Sequence, residues 1–172
     1  MVTAELRVAK AIDRKALLAL INSAFAIEKF FVDRERTTPK ELGTLFRSGS
    51  FLLLDAPDGT LAAAIYVEAK RDRAYIGMLA VRPELQGKGI GRRMMAAAEE
   101  HARASGCRGV DIRVVNLRKE LPPFYRSLGY VVRGRTEPIH DPAAKKPYHF
   151  ILMGKEFFRR RKAPAAADGT PA

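Results

Sequence analysis

The residues whose types and spacing most clearly suit a chemical task run from Gln86 to Arg93, Gln-Gly-Lys-Gly-Ile-Gly-Arg-Arg, directly behind the apolar run Tyr75 to Val81. Gly87, Gly89 and Gly91 alternate with Lys88 and Ile90, so the backbone can approach a ligand closely and aim several N–H groups at one point as a helix begins. The unpaired first-turn N–H groups and the positive dipole end of that helix favour a phosphate. Lys88, Arg92 and Arg93 add positive charge in the same turn. Spacing excludes two common phosphate loops. A dinucleotide turn needs G-x-G-x-x-G, and Arg92 stands where its third glycine would be. A Walker loop needs Ser or Thr after Gly-Lys, and Gly89 follows Lys88. What remains is Q-x-x-G-x-G on a strand-to-helix turn.

The elements that must position this turn follow from periodicity. A short strand over Glu5 to Lys10 precedes a helix capped by Asp13, with Ala16, Leu17, Leu20, Ile21 and Ala24 on one face. Phe25 to Thr38 mixes aromatics and charges without a clean period, and Thr38-Pro39 then starts a second helix to Arg47. Phe51 to Leu54 and Leu61 to Val67 read as an antiparallel hairpin, and Ala74 to Val81 completes a meander. Gly77 inside that third strand marks a bulge or a close approach. The helix after the turn ends at Gly106, with His101 on its surface among Glu99, Glu100 and Arg103. Val110 to Val115 returns in parallel, with Asn116 at its carboxyl end, where ligands of open α/β sheets collect. A short helix at Pro122-Pro123 holds Phe124 and Tyr125 and stops at Gly129; strands from Tyr130 and over Tyr148 to Met153 close the domain.

The 172 residues suit one domain. The single Cys107 forms no internal disulfide and reads as a partly buried apolar residue; with no spanning-length apolar run and no leader pattern, a cytoplasmic, non-membrane protein is expected. No histidines or cysteines stand at metal spacing, so no metal is expected. The net charge of +12 gathers partly in Lys155 and Arg159 to Lys162, without the regular aromatics of a stacking platform. Attraction for a polyphosphorylated cofactor is therefore favoured over nucleic acid.

The turn at Gln86 to Gly91, the strand before it, and the segment Asn116 to Tyr130 with its Tyr125-x-x-x-Gly129-Tyr130 ending together resemble the GNAT N-acetyltransferase superfamily over residues 3–155. The resemblance implies an α/β (α+β) fold in a single domain. Its sheet is mixed and mostly antiparallel, with six to seven strands, a central parallel strand–helix–strand unit and helices on both faces. Residues 156–172 would be a flexible tail, first basic and then Ala/Pro-rich. It also implies acetyl-CoA as co-substrate. Leu79, Ala80 and Val81 would offer backbone to its pantetheine arm, and the pyrophosphate would rest on Gln86, Gly87, Lys88, Gly89, Ile90, Gly91 and Arg92. Asn116 would hydrogen-bond the arm, and Tyr125 would protonate the departing thiolate.

The sequence departs from the family at the carboxylate that many members carry on the cofactor-side strand; here that neighbourhood is Tyr75-Ile76-Gly77. Glu28, among Phe25, Phe30 and Phe31 in a segment that borders the acceptor in this family, is the first candidate for a base, against an alternative pairing with Lys29 or Arg34. Glu68, Glu137, His140 and His149 are weaker candidates. Arg118 and Glu120 form an ion pair or line the pocket. The acceptor is read as a primary amine of a small molecule or peptide, with two alternatives: a non-catalytic acyl-CoA sensor module, or acetylation of an RNA-linked amine. The state is a monomer, or a homodimer paired through an exposed last strand.

Overall fold

The computed structural model describes residues 6–158. Its secondary structure comprises strands β1 (Leu6–Val8), β2 (Ser50–Asp55), β3 (Leu61–Lys70), β4 (Arg73–Val81), β5 (Gly109–Val115), β6 (Val131–Arg135) and β7 (Phe150–Glu156). The helices are α1 (Arg14–Ala24), α2 (Pro39–Ser48), α3 (Ile90–Ala104) and α4 (Leu121–Ser127). One sheet carries all seven strands in the order β1-β2-β3-β4-β5-β7-β6, antiparallel except for β4 against β5. The expected parallel unit and mixed sheet are present.

Local chemistry accounts for the helix ends. Thr38 accepts from the Glu41 N–H, Glu41 answers on the Thr38 N–H, and Pro39 occupies the first turn of α2. Asp13 occupies the N-cap of α1 as expected, but without a side-chain cap bond to that helix. Its carboxylate accepts from the Lys10 N–H and both Arg7 terminal nitrogens, so it closes a 3-10 turn ahead of α1 and does not cap α1 itself. Gly129 ends α4 at φ 92°, a left-handed conformation that glycine adopts without strain.

Two apolar layers sandwich the sheet. Leu17, Leu20, Ile21 and Leu42 of α1 and α2 pack on Phe51, Leu53, Ala64 and Tyr66. On the opposite face, Met94, Met95, Ala98 and Ala102 of α3 meet Ile65, Ile76, Val110, Ile112 and Val114. Burying a methionine such as Met94 completely contributes about 1.5–3 kcal/mol, so this face fixes α3 and the turn before it. Cys107 sits in the same layer, and burial pushes its thiol pKa up. Glu99 was read as surface, but it is buried on α3, accepting from the Tyr130 hydroxyl at 3.1 Å and the Lys155 ammonium at 2.9 Å.

The last strand corrects a second expectation. β7 lies between β5 and β6, so β6 is the edge, and all five of its residues are exposed. A bulge at Arg133, between Val132 and Gly134, and the charges of Arg133 and Arg135 blunt that edge against pairing with another chain. Residues from 159 onward, where most of the expected tail lies, fall outside the described residues.

Candidate active site

The sheet is open at one place. β4 and β5 pair only from Arg73 to Tyr75 against Gly109 to Asp111, although both strands continue well beyond. The cause is visible on β4. Tyr66 faces Gly77 and Ala64 faces Ala80, so Met78 and Leu79 together stand opposite Ile65. Met78 takes φ 50°, an uncommon value for a side-chain-bearing residue, and the bulge bends β4 away from β5. Gly77 serves the same region differently: a Cβ there would lie 2.8 Å from the Tyr75 hydroxyl, so the glycine lets that ring lie along the strand. The expected bulge is therefore one residue beyond the glycine.

The gap opens into a cleft of about 610 Å³. At one end is the glycine turn. Gly87 and Gly89 adopt φ 74° and 81°, and nothing lies within 4 Å of where their Cβ atoms would stand. Gly89 is the N-cap of α3, so the N–H groups of Ile90, Gly91 and Arg92 have no carbonyl one turn behind them. Gln86 is tied back to the Val81 carbonyl through Nε2 at 3.1 Å, which fixes the turn to the strand it follows. Arg92 donates to the Ser127 hydroxyl at 2.8 Å.

Of the sequence-derived residues, Leu79, Val81, Gln86, Gly87, Gly89, Ile90, Gly91, Arg92, Glu28 and Tyr125 line this one cleft. Ala80, Lys88 and Asn116 do not. Ala80 is fully buried against the α1 side, and Lys88 is exposed at the tip of the turn. Asn116 exchanges hydrogen bonds with His149: its N–H donates to the His149 carbonyl, and its Oδ1 accepts from the His149 N–H at 2.9 Å. That pair ties the end of β5 to the chain entering β7. Glu137 and His140 are exposed and outside the cleft, while Glu68 accepts from the Tyr66 hydroxyl at 3.1 Å.

Tyr125 comes from α4 and packs edge-on against Phe124 and Tyr130 at centroid distances of 5.0 and 5.9 Å. Dehydration there pushes its phenol up to about 12, so it stays protonated throughout the neutral range. Glu28 sits in a short 3-10 turn, Ala26–Phe30, with its side chain 13% exposed. Its ion pair is with neither Lys29 nor Arg34. Lys29 pairs with Glu35, Arg34 with Asp141, and Glu28 with Arg118 at 3.5 Å, a long contact for a hydrogen bond. Arg118 also pairs with Glu120, and both line the cleft, so the two sequence alternatives for this pair hold together. Burial raises the Glu28 carboxyl above its ordinary value, against the pull of Arg36 and Arg118.

The cleft wall also brings in Arg36 and Arg113, which sequence reasoning did not single out, among aromatic side chains. Phe31 and Tyr148 pack edge to face at 5.2 Å, and Val32 bridges to Ala144, which joins the segment before α2 to the loop before β7. Arg36 lies over the Phe25 ring at 5.0 Å and Arg113 over the Tyr75 ring at 5.9 Å. Residues between 25 and 38 supply part of the cleft lining, but alternating charges there carry no local signal separating Arg36 from Arg34.

Comparison with known proteins agrees with this layout. Residues 17–130 match the Acetyltransferase (GNAT) family. Streptothricin acetyltransferase of Streptomyces lavendulae is 32% identical over 108 residues, covering 62% of this chain and 57% of that protein. Glucosamine 6-phosphate N-acetyltransferase 1 of Oryza sativa subsp. japonica is 30% identical over 125 residues, covering 68% of this chain and 74% of that one. The PaiA N-acetyltransferase of Thermoplasma acidophilum, solved in complex with coenzyme A, shares the fold at a TM-score of 0.72 and 19% identity, over 90% of this chain and 99% of that chain. By its sequence match and its architecture, the chain belongs to the GNAT acetyltransferase family.

Proposed function

We propose that this protein transfers the acetyl group of acetyl-CoA to a primary amine of a small molecule or peptide, by direct attack in a ternary complex. The observation that carries this reading is that a single cleft is lined by the glycine turn, the gap between β4 and β5, Tyr125 and Glu28. Two of the relatives, an acetyltransferase named for an antibiotic and one named for an amino-sugar phosphate, support a small-molecule acceptor.

The residues present fit the co-substrate. The open, left-handed glycines and the free first-turn N–H groups of α3 suit a pyrophosphate, with Gln86 bracing the turn and Lys88 and Arg92 adding charge. The backbone of Leu79 to Val81 borders the gap, where a pantetheine arm would run as an added strand. The Asn116 amide nitrogen, its oxygen already engaged, would donate to that arm. Bound acetyl-CoA supplies the acetyl group as a thioester, whose C–S bond breaks as the new C–N bond forms.

The chain's own groups then move two protons. The acceptor ammonium first sheds one proton to solvent, and Glu28 accepts the second as the C–N bond forms; burial raises its pKa, which makes it a stronger base than an ordinary carboxylate. Tyr125 donates its phenolic proton to the sulfur. A phenol near 12 is a weak acid beside an ordinary thiol near 8.5, but a dehydrated site raises the basicity of a thiolate as well, which narrows the gap. Solvent returns a proton to Tyr125 and takes one from Glu28. A backbone N–H near Leu79 would steady the carbonyl oxygen.

Incubation with acetyl-CoA and a panel of primary amines, followed through free thiol, tests the reading. The expected outcome is amine-dependent thiol release. CoA binding without release from any amine points instead to a sensor module.

A further inference from the structure

The arginines of the cleft differ in what balances their charge. Arg34 donates to Asp141 at 3.0 Å, and Arg118 lies between Glu28 and Glu120. Arg36 forms no close ion pair with a carboxylate among the described residues, although its charge acts on Glu28 from a distance. Its guanidinium rests on the Phe25 ring, and its Nε is buried without a hydrogen-bond acceptor. A guanidinium cannot shed its proton, so although the Glu28 carboxyl feels its charge, the buried Nε–H is left an unanswered donor. Arg113 also has no carboxylate partner among the described residues and makes its contact with the Tyr75 ring. Its neighbours Ile112 and Val114 pack towards α3, so the alternation of β5 turns Arg113 to the opposite face, away from the glycine turn. Both arginines line the cleft. The pyrophosphate assigned to the turn therefore does not account for either.

We infer that the acceptor amine also carries an anionic group, a carboxylate or phosphate oxyanion, which Arg36 receives with Arg113 beside it. This rests on the acetyl-transfer reading and narrows its substrate class. The acceptor side of the cleft then holds opposite charges for a zwitterion: Glu28 for the ammonium and Arg36 for the anion. A planar guanidinium on an aromatic platform presents its donors in the fork geometry that oxyanions accept.

The test compares matched amines on the full chain: γ-aminobutyrate against its amide, and phosphoethanolamine against ethanolamine. The anionic member of at least one pair is expected to show a kcat/KM about 10-fold or more above its neutral partner, and the favoured pair tells carboxylate from phosphate. Arg36→Gln reduces that preference about 10-fold, mainly through KM for the anionic amine, and Arg36→Lys restores part of it. Equal kcat/KM for charged and neutral partners in the wild type overturns the inference, as does an unchanged preference in Arg36→Gln. Failure of thiol release with every amine would sink the acetyl-transfer reading separately. Thermal stability in the presence of CoA then decides the inference: a Tm raised by the anionic amines in the wild type but not in Arg36→Gln supports it, and equal Tm with charged and neutral amines overturns it.

Discussion

The two ends of the cleft are built in opposite ways. At the end we propose for the cofactor, one continuous stretch from Tyr75 to Arg92 supplies strand, bulge, turn and helix start, and the groups it offers are mostly backbone. At the end we propose for the acceptor, the lining is made of side chains from distant stretches: Glu28 and Arg36 ahead of α2, Arg113 on β5, Arg118 beyond it and Tyr148 before β7. A backbone site depends on local conformation and leaves its mark as glycine spacing. A side-chain site depends on which strands become neighbours, and so it leaves only scattered charges in the chain. The first kind suits an invariant cofactor, and the second can be altered residue by residue for a new acceptor.

Substitutions of graded size probe this contrast. Tyr125 is the proposed proton donor, and Tyr125→Phe should lower kcat by about 100-fold or more while CoA affinity stays within about twofold. Parallel loss of CoA affinity, measured by titration, would mean that Tyr125 only supports the fold. Glu99→Ala lies outside both ends. It strips the partner from Lys155 and the acceptor from Tyr130, so stability should fall by about 2 kcal/mol, discounted because Lys155 reaches solvent, with Tm down by about 4–8 °C. Its effect on kcat/KM should be small; a large one would couple α3 to the chemistry more tightly than the packing implies.

Glu28→Gln should cut kcat/KM at pH 7 by about 10-fold or more and remove the limb of the pH profile that rises as Glu28 ionises. Stability should move the other way. The folded pKa of Glu28 is raised above its unfolded value, so its contribution is most favourable below the unfolded value and declines as pH climbs through the folded one. Glu28→Gln therefore should leave Tm at pH 7 unchanged or higher, which a thermal melt across pH will show. The smallest effect is expected at Gly89, whose φ of 81° costs a side chain about 1–2 kcal/mol. Gly89→Ala should weaken CoA binding several-fold, with little change in preference among amines. A change of acceptor preference would contradict the separation of the two ends.

The same contrast explains how much could be read from the chain. Thr38, Pro39 and Glu41 announce the start of α2, Gly106 and Gly129 stand where α3 and α4 end, and the glycines at 87, 89 and 91 announce the turn into α3, because each acts within one turn of backbone. Glu99 could not be read correctly. On helical spacing it belongs with exposed Glu100, and only the arrival of Tyr130 and of Lys155 from β7 makes its burial tolerable. The insertion of β7 between β5 and β6 was equally hidden, since strand order is set by long-range pairing such as Ile112 with Met153. The aromatic neighbours of Glu28 in the chain point to its partial burial, but its partner Arg118 lies 90 residues away.

The central claim, that one cleft brings an acetyl donor and an amine together for direct transfer, is tested most directly by following both products in a single reaction. Free thiol and N-acetylated amine are quantified together with the intact mass of the protein. The account predicts equal molar amounts of thiol and acetylated amine, and no acetyl group left on the chain. Thiol release without acetylated amine, or an acetyl group retained by the protein, would contradict it.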